Sequence, residues 1–245
     1  MGDNVIAFYD IHGNLPALNA ALREADQLGY DTIVIGGDVA TGYMPGQTIA
    51  ELMHLGSRAR FVMGNSDRQL VEIFDGADPP ADYFGQLAGW CSRQLNRKQR
   101  DFLASFEPVV TVASTLFCHG TPRSDEELVT PLTPEPVLAR ILGSVSAQLV
   151  VGGHTHIQMD RRIGGKRFVN AGSIGMPYGG TGAFWLRLTP EVDLRRTEYP
   201  LETAAAAIRA TGGPGAAEFA AENVLTTPSA DDAAELFEEQ AGRRT

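Results

Sequence analysis

Five short apolar runs, Val5 to Tyr9, Thr32 to Ile35, Phe61 to Met63, Thr115 to Cys118 and Leu149 to Val151, each lead into a cluster of acids, amides, glycines or histidines. Runs of this length without polar alternation read as strands buried on both faces. Between the first two, Leu15, Leu18, Ala21, Leu22, Ala25 and Leu28 recur at helical spacing, and Gly29 supplies a C-terminal stop. A second helix is expected near Gln47 to Leu55. Strand and helix therefore alternate, the pattern of an α/β fold with crossover helices. In such folds ligands bind beyond the carboxyl ends of the strands, so five distant segments send polar ends to one place.

Those ends read Asp10-Ile11-His12, Gly36-Gly37-Asp38, Gly64-Asn65, His119-Gly120 and Gly153-His154-Thr155-His156, and they take up four of the five histidines. Residues two apart at a strand end share a side, which pairs Asp10 with His12 and His154 with His156 and turns Ile11 and Thr155 away. Imidazole and carboxylate donors without thiolate suit Mn, Fe, Co or Zn in a reactive site better than a structural zinc. Seven donors exceed what one ion with an open position needs, and fit two ions sharing a carboxylate.

The ordered series D-x-H, G-D, G-N, H and G-H-x-H, spanning residues 5 to about 175, resembles that of the calcineurin-like metallophosphoesterases. Each motif alone is weak, because Gly-Asp and Gly-Asn are ordinary turn chemistry, but five in order after five strands are specific. The resemblance implies a four-layer α/β/β/α sandwich of two mixed sheets flanked by helices. It also implies two divalent metal ions, Mn or Fe foremost, with Zn, Co or Ni also fitting. Asp10, His12 and His156 would hold one ion, Asn65, His119 and His154 the other, and Asp38 would bridge them. Hydrolysis of a phosphoester by a metal-bound hydroxide would follow, with Asp38 and Asn65 as catalytic ligands. Many members continue Gly-Asn with a histidine that protonates the leaving group, whereas this chain has Ser66-Asp67. Serine is no comparable acid near neutral pH. The departure resembles a smaller bacterial and archaeal branch of phosphodiesterases and broad phosphatases, and points to diesters or activated monoesters. Tyr9 stands where that branch usually has a small residue, so a differently shaped pocket floor is expected. Alternatives are a dinucleoside polyphosphate hydrolase, a protein phosphatase, or a metal-binding scaffold without catalysis, as in the retromer subunit that shares the fold.

The 245 residues, 43% hydrophobic, suffice for one α/β domain with a modest insertion. A metallophosphoesterase domain is expected over 1–210, with helices inserted over the site at about 67–107, followed by an acidic C-terminal extension over 211–245. From 157 to 199 the pattern becomes β-rich, with a Gly164-Gly165 hairpin between Ile157 to Ile163 and Lys166 to Asn170, and Phe184 to Leu188 and Val192 to Tyr199 extending that second sheet. The extension carries seven acids against two arginines, half of the chain's net charge of −10. Ser229 and Asp232 could cap a last helix with Leu236 and Phe237 on its apolar face, or the terminus could fray. The acidity excludes non-specific binding to nucleic acid or anionic membrane, and leaves a small phosphoester, nucleotides included, as the expected partner. Two cysteines, Cys91 and Cys118, give no disulfide framework and fit the cytoplasm. No run reaches the length of a membrane span, and a strand beginning at Val5 leaves no room for a cleavable signal.

Other polar residues have two readings each. Asn14 caps the helix at Leu15 or supports the site by hydrogen bonding. Arg123 grips a phosphate oxygen or pairs with Asp125 or Glu126. Ser66 is placed with Arg123 as substrate-binding. Asn170-Ala171-Gly172-Ser173 is expected to shape the rim, Gly179 to Gly182 to form a turn, and His54 to be an ordinary helix residue.

Overall fold

The computed structural model describes residues 4–243, so the outer limits of the expected domain and extension, at 1 and 245, lie outside the described residues. Two mixed five-stranded sheets stack face to face. The first has the order β10-β9-β1-β2-β3, from Glu191–Thr197, Ala183–Thr189, Val5–Phe8, Thr32–Ile35 and Ala59–Phe61. The second has the order β4-β5-β6-β8-β7, from Val109–Val112, Thr115–Cys118, Leu149–Gly152, Lys166–Asn170 and Met159–Ile163.

Alternation along the central strands sets the layers. Val5, Ala7 and Tyr9 of the first sheet meet Phe117, Val151 and Val169 of the second, while Ile6, Phe8, Ile33 and Ile35 face the helices α1 (Leu15–Leu28) and α2 (Pro45–His54). On the outer face of the second sheet, Val150 and Phe168 pack on Leu138, Ile141 and Leu142 of α6 (Glu135–Gly143). Each sheet is thus covered on both faces at its centre, which is why the central strands lack the polar alternation seen in outer strands such as β7 and β10. The molecule is the α/β/β/α sandwich.

The strand pairs β1–β2 and β2–β3 are parallel, as the crossover helices require. The pairing of β9 and β10 differs from the expected one. Both leave the second sheet, and β9 lies antiparallel beside β1, with Ala7 opposite Leu186. This places Leu186 in the intersheet core and buries Trp185 beside Phe8. The hairpin between β7 and β8 turns at Gly164 and Gly165, both at positive φ, as a two-residue connection with this strand twist demands.

The segment expected as a helical insertion holds α4 (Tyr83–Ser92) and α5 (Arg97–Leu103), preceded by α3 (Asn65–Phe74), which begins at the donor Asn65 itself. Beyond residue 200, α7 (Leu201–Ala210), α8 (Ala216–Phe219), a wide turn over Ala220–Leu225 and α9 (Ala230–Gln240) are all ordered. Phe219, Ala220 and Val224 are buried in the main core, so the acidic extension is docked rather than frayed. The Ser229 side chain accepts from Asp232 N and caps α9, with Phe237 turned inward but Leu236 52% exposed. His54 lies exposed at the end of α2. No helix among the described residues is long and apolar enough to cross a membrane.

Candidate metal centre

All seven expected donors lie just beyond strand ends, on one edge of the sandwich. Their spacing works differently from a continued strand. Among the described residues six non-glycine residues have positive φ, and five of them are Asp10, His12, Asp38, His154 and His156. Left-handed backbone at alternate residues, rather than pleating, brings Asp10 and His12, and then His154 and His156, to one side. Ile11 goes to the core and Thr155 to Val129 O. Such conformations cost on the order of 1–3 kcal/mol each and persist where the surroundings over-determine them. Cross-links from neighbouring turns do this: Asp10 N donates to Gly37 O, His12 N to Asp38 O, and Ser173 Oγ to Asp10 O. Gly37 is required by close approach, since a Cβ there would lie 2.6 Å from Gly64 N.

Ligand-type atoms of Asp10, His12 and His156 lie within 4.8 Å of one another, as do those of Asp38, His119 and His154. Asp38 stands between the groups, its Oδ2 3.9 Å from His12 Nε2 and its Oδ1 3.5 Å from His119 Nε2. Asn65 Oδ1 is 3.1 Å from His119 Nε2. The Nδ1 atoms of His12, His119 and His156 each face a backbone carbonyl, of Thr41, Gly36 and Met176. Donation to those carbonyls fixes the tautomer and leaves the Nε2 lone pairs aimed inward.

That arrangement fits divalent cations. His12 Nε2 and His156 Nε2 are 3.2 Å apart, two acceptors that repel unless a cation or proton lies between them. Asp10 Oδ1 is buried with no hydrogen-bond partner. The histidines respond to these carboxylates unequally. Burial disfavours charge on His119, but the carboxylates of Asp38 and Asp10 outweigh it and hold the imidazole up to about 10. Burial, helped by His119, drives His154 down to about 4. Burial opposes ionisation of Asp38 too, yet His119 and His12 hold it well below the usual carboxylate range. Positive charge is therefore drawn to His119 beside the carboxylates, while His154 keeps a neutral imidazole with a free lone pair.

Asp67, third residue of α3, has no role in the motif reading. Its carboxylate accepts from the backbone N–H groups of Asp38, Val39 and Gly64, at 2.8, 2.9 and 3.2 Å, and so sets the turn that presents Asp38. Burial, joined by the Asp38 charge, pushes its carboxyl up to about 7. An acid three residues after a glycine at a helix start is a capping signal that could have marked it. Asn14 caps α1, accepting from Ala17 N, and its amide donates to Gly175 O and Tyr199 Oη rather than to a donor of the cluster. Asn170 and Ser173 do not form a rim: both are fully buried, Asn170 donating to Gly153 O beneath the His154 turn. Tyr9 is no pocket floor either, because it lies between the sheets and donates to Val151 O. Arg123 is taken by Glu127, while Asp125 and Glu126 pair with Arg68, and Arg123 does not line the cavity above the donors.

That cavity measures about 830 Å³ and has His12, Asp38, Asn65, His154 and His156 at its floor. Ser66 and Thr41 also line it, each more than nine-tenths buried, with hydroxyl oxygens that have no hydrogen-bond partner among the described residues. Its walls come from the start of α4, from Met176 and Tyr178, and from the acidic extension.

The family model of the calcineurin-like phosphoesterase superfamily domain matches residues 4–191. The chain is 28% identical over 192 residues to phosphodiesterase YfcE of Escherichia coli strain K12, covering 75% of this chain and 85% of that one. Its fold matches the crystal structure of a metallophosphoesterase from Sphaerobacter thermophilus with a TM-score of 0.75 at 22% identity, over 89% of this chain and 98% of that one. A hypothetical protein of Pyrococcus horikoshii OT3 matches with a TM-score of 0.79 at 19% identity, over 89% and 97% of the two chains.

Proposed function

The chain belongs to the calcineurin-like phosphoesterase superfamily and is a metal-binding hydrolase of phosphoester bonds, and we propose that its substrates are phosphodiesters or monoesters with good leaving groups. The observation that carries this reading is the convergence of seven donors, five of them on left-handed backbone, on one cluster, of which His12, Asp38, Asn65, His154 and His156 line a single cavity. Asp10, His12 and His156 would hold one divalent cation, Asn65, His119 and His154 a second, and Asp38 both. Mn or Fe suits this mixed imidazole and oxygen set best, with Zn, Co or Ni also fitting. Bound there, the pair supplies an acidified water as nucleophile and the positive charge that a phosphoryl group gathers in the transition state.

The chain's own residues set the preference for diesters. Neutral Asn65 adds no negative charge to its cation. Ser66, following it, offers no titratable proton to a departing alkoxide, so a poor leaving group is not assisted. The unpartnered hydroxyls of Ser66 and Thr41 are uncharged donors within reach of the floor, suited to the single negative charge of a diester. Asp67 holds the Asp38 turn, and the three carbonyls on Nδ1 orient the imidazoles. The buried free thiols Cys91 and Cys118 support a reducing compartment, and we place the reaction in the cytoplasm.

The test is turnover of 4-nitrophenyl mono- and diesters by Mn-loaded protein. Asp38→Asn and His154→Ala are expected to lose at least about a hundredfold in activity and part of the bound metal while keeping the folded circular dichroism spectrum. Full activity in both would overturn the site.

A further inference from the structure

The cavity offers phosphate one place to go. Among the described residues no lysine or arginine lines it, so beyond the donor cluster none of them compensates a second anionic group. The walls carry the opposite character. Glu218 and Glu222, one helical turn apart on the acidic extension, face the cavity as exposed carboxylates without an ion pair among the described residues, and Asp82 adds a third acid. Beside them, Tyr83 and Phe84 line the mouth although 42% and 59% exposed, the Tyr83 ring lying against Gly215 three residues before Glu218. A second aromatic strip runs outward from the donors: Tyr178 stacks at 5.8 Å on His156, and Phe237 meets Tyr178 edge-on at 5.9 Å. At the floor wait the two buried, unpartnered hydroxyls of Ser66 and Thr41.

Aromatic faces combined with unpaired carboxylates are the recognition chemistry of an organic cation. We infer that the substrate is a phosphodiester whose second ester arm carries a cationic group, an alkylated or quaternary ammonium, held between the aromatic strips and the Glu218–Glu222 pair. The inference deepens the diesterase reading and rests on it. It disfavours dinucleoside polyphosphates and phosphopeptides, whose further negative charges would face these carboxylates.

Three 4-nitrophenyl phosphodiesters of equal size separate the possibilities, with a 2-(trimethylammonio)ethyl arm, its neutral 3,3-dimethylbutyl isostere, and an anionic carboxypropyl arm. For Mn-loaded protein kcat/KM is expected to fall in that order, with about tenfold between the cationic and anionic arms at low salt and less at high salt. Calorimetric Kd values for the corresponding methyl diesters should show the same order. In the double variant Glu218→Gln, Glu222→Gln both ratios should shrink towards one. Turnover of the neutral diester with equal or greater preference for the anionic arm overturns this inference and leaves the diesterase reading standing. If no diester is turned over, that reading falls, and the calorimetric order alone decides whether the cavity selects cations.

Discussion

At the residue scale, the backbone at the donors makes a prediction that side chains alone do not. Replacing an ordinary residue by glycine costs about 0.5–1 kcal/mol relative to alanine, through the freedom glycine regains on unfolding. His12 has φ +47, where a Cβ is strained, so the order should reverse. Both His12→Gly and His12→Ala delete the imidazole, and in chelator the Gly variant is expected to be more stable in urea by about 1 kcal/mol. Equal stability, or the ordinary order, would show that the left-handed conformation stores no strain. Asp67→Asn tests the clamp beneath Asp38. An amide keeps one acceptor oxygen but sets its NH2 against a backbone N–H, at a cost of about 1–3 kcal/mol, and loosened positioning should weaken metal affinity about 10–100-fold. A titration showing wild-type affinity would remove Asp67 from the site. The donors themselves were legible in sequence because each follows an apolar run. Asp67 shows in sequence only as a helix cap and Thr41 not at all, because their bearing on the site comes through contacts with residues distant in the chain.

At the element scale, α9 illustrates both what periodicity reveals and what it hides. The Ser229 cap and inward Phe237 follow from spacing, but nothing in the sequence announces that buried Glu238 is the anchor. Its carboxylate accepts from the hydroxyls of Thr130 and Thr133, at 2.6 and 2.7 Å, and pairs with Arg243. These partners lie more than a hundred residues apart in sequence from Glu238 in the case of the threonines, which no local pattern encodes. Burial alone would raise the Glu238 pKa, but Arg243 and the hydroxyls hold it below the ordinary value of 4.5. A carboxyl depressed in the folded state stabilises above its unfolded pKa, and that stabilisation is lost as pH falls through the folded value. The protection of α9 against hydrogen exchange, corrected for the intrinsic rate at each pH, should therefore fall as acid titrates Glu238 below the ordinary carboxylate range, while β1 and β2 stay protected. Glu238→Gln should produce the same local opening at neutral pH, with KM raised more than kcat is lowered, because Phe237 leaves the cavity wall. Unchanged protection of α9 would refute the anchor. The placement of β9 and β10 failed for the same physical reason as the anchor. Alternation marks them as strands, but their choice of sheet is set by Trp185 packing on Phe8 and Leu186 entering the intersheet core.

At the scale of the whole molecule, the donors straddle the two sheets. Asp10, His12, Asp38 and Asn65 follow strands of the first, and His119, His154 and His156 follow strands of the second. Cations held by both sets would tie the sheets together where strained turns and like charges otherwise oppose closure. Each site filled at a hundred times its Kd would add about 2.7 kcal/mol to global stability. For a chain of this length 1 kcal/mol corresponds to roughly 2–4 °C, so saturation with Mn should raise Tm by more than about 5 °C per site, and chelation should reverse it. The two sites are distinguishable. His156→Ala, which leaves the Asn65, His119 and His154 set intact, should lose about half of the metal-induced shift, whereas Asp38→Asn should lose more than half, because Asp38 faces both donor groups. A Tm indifferent to Mn and chelator in the wild type would mean that the cluster holds protons rather than metal.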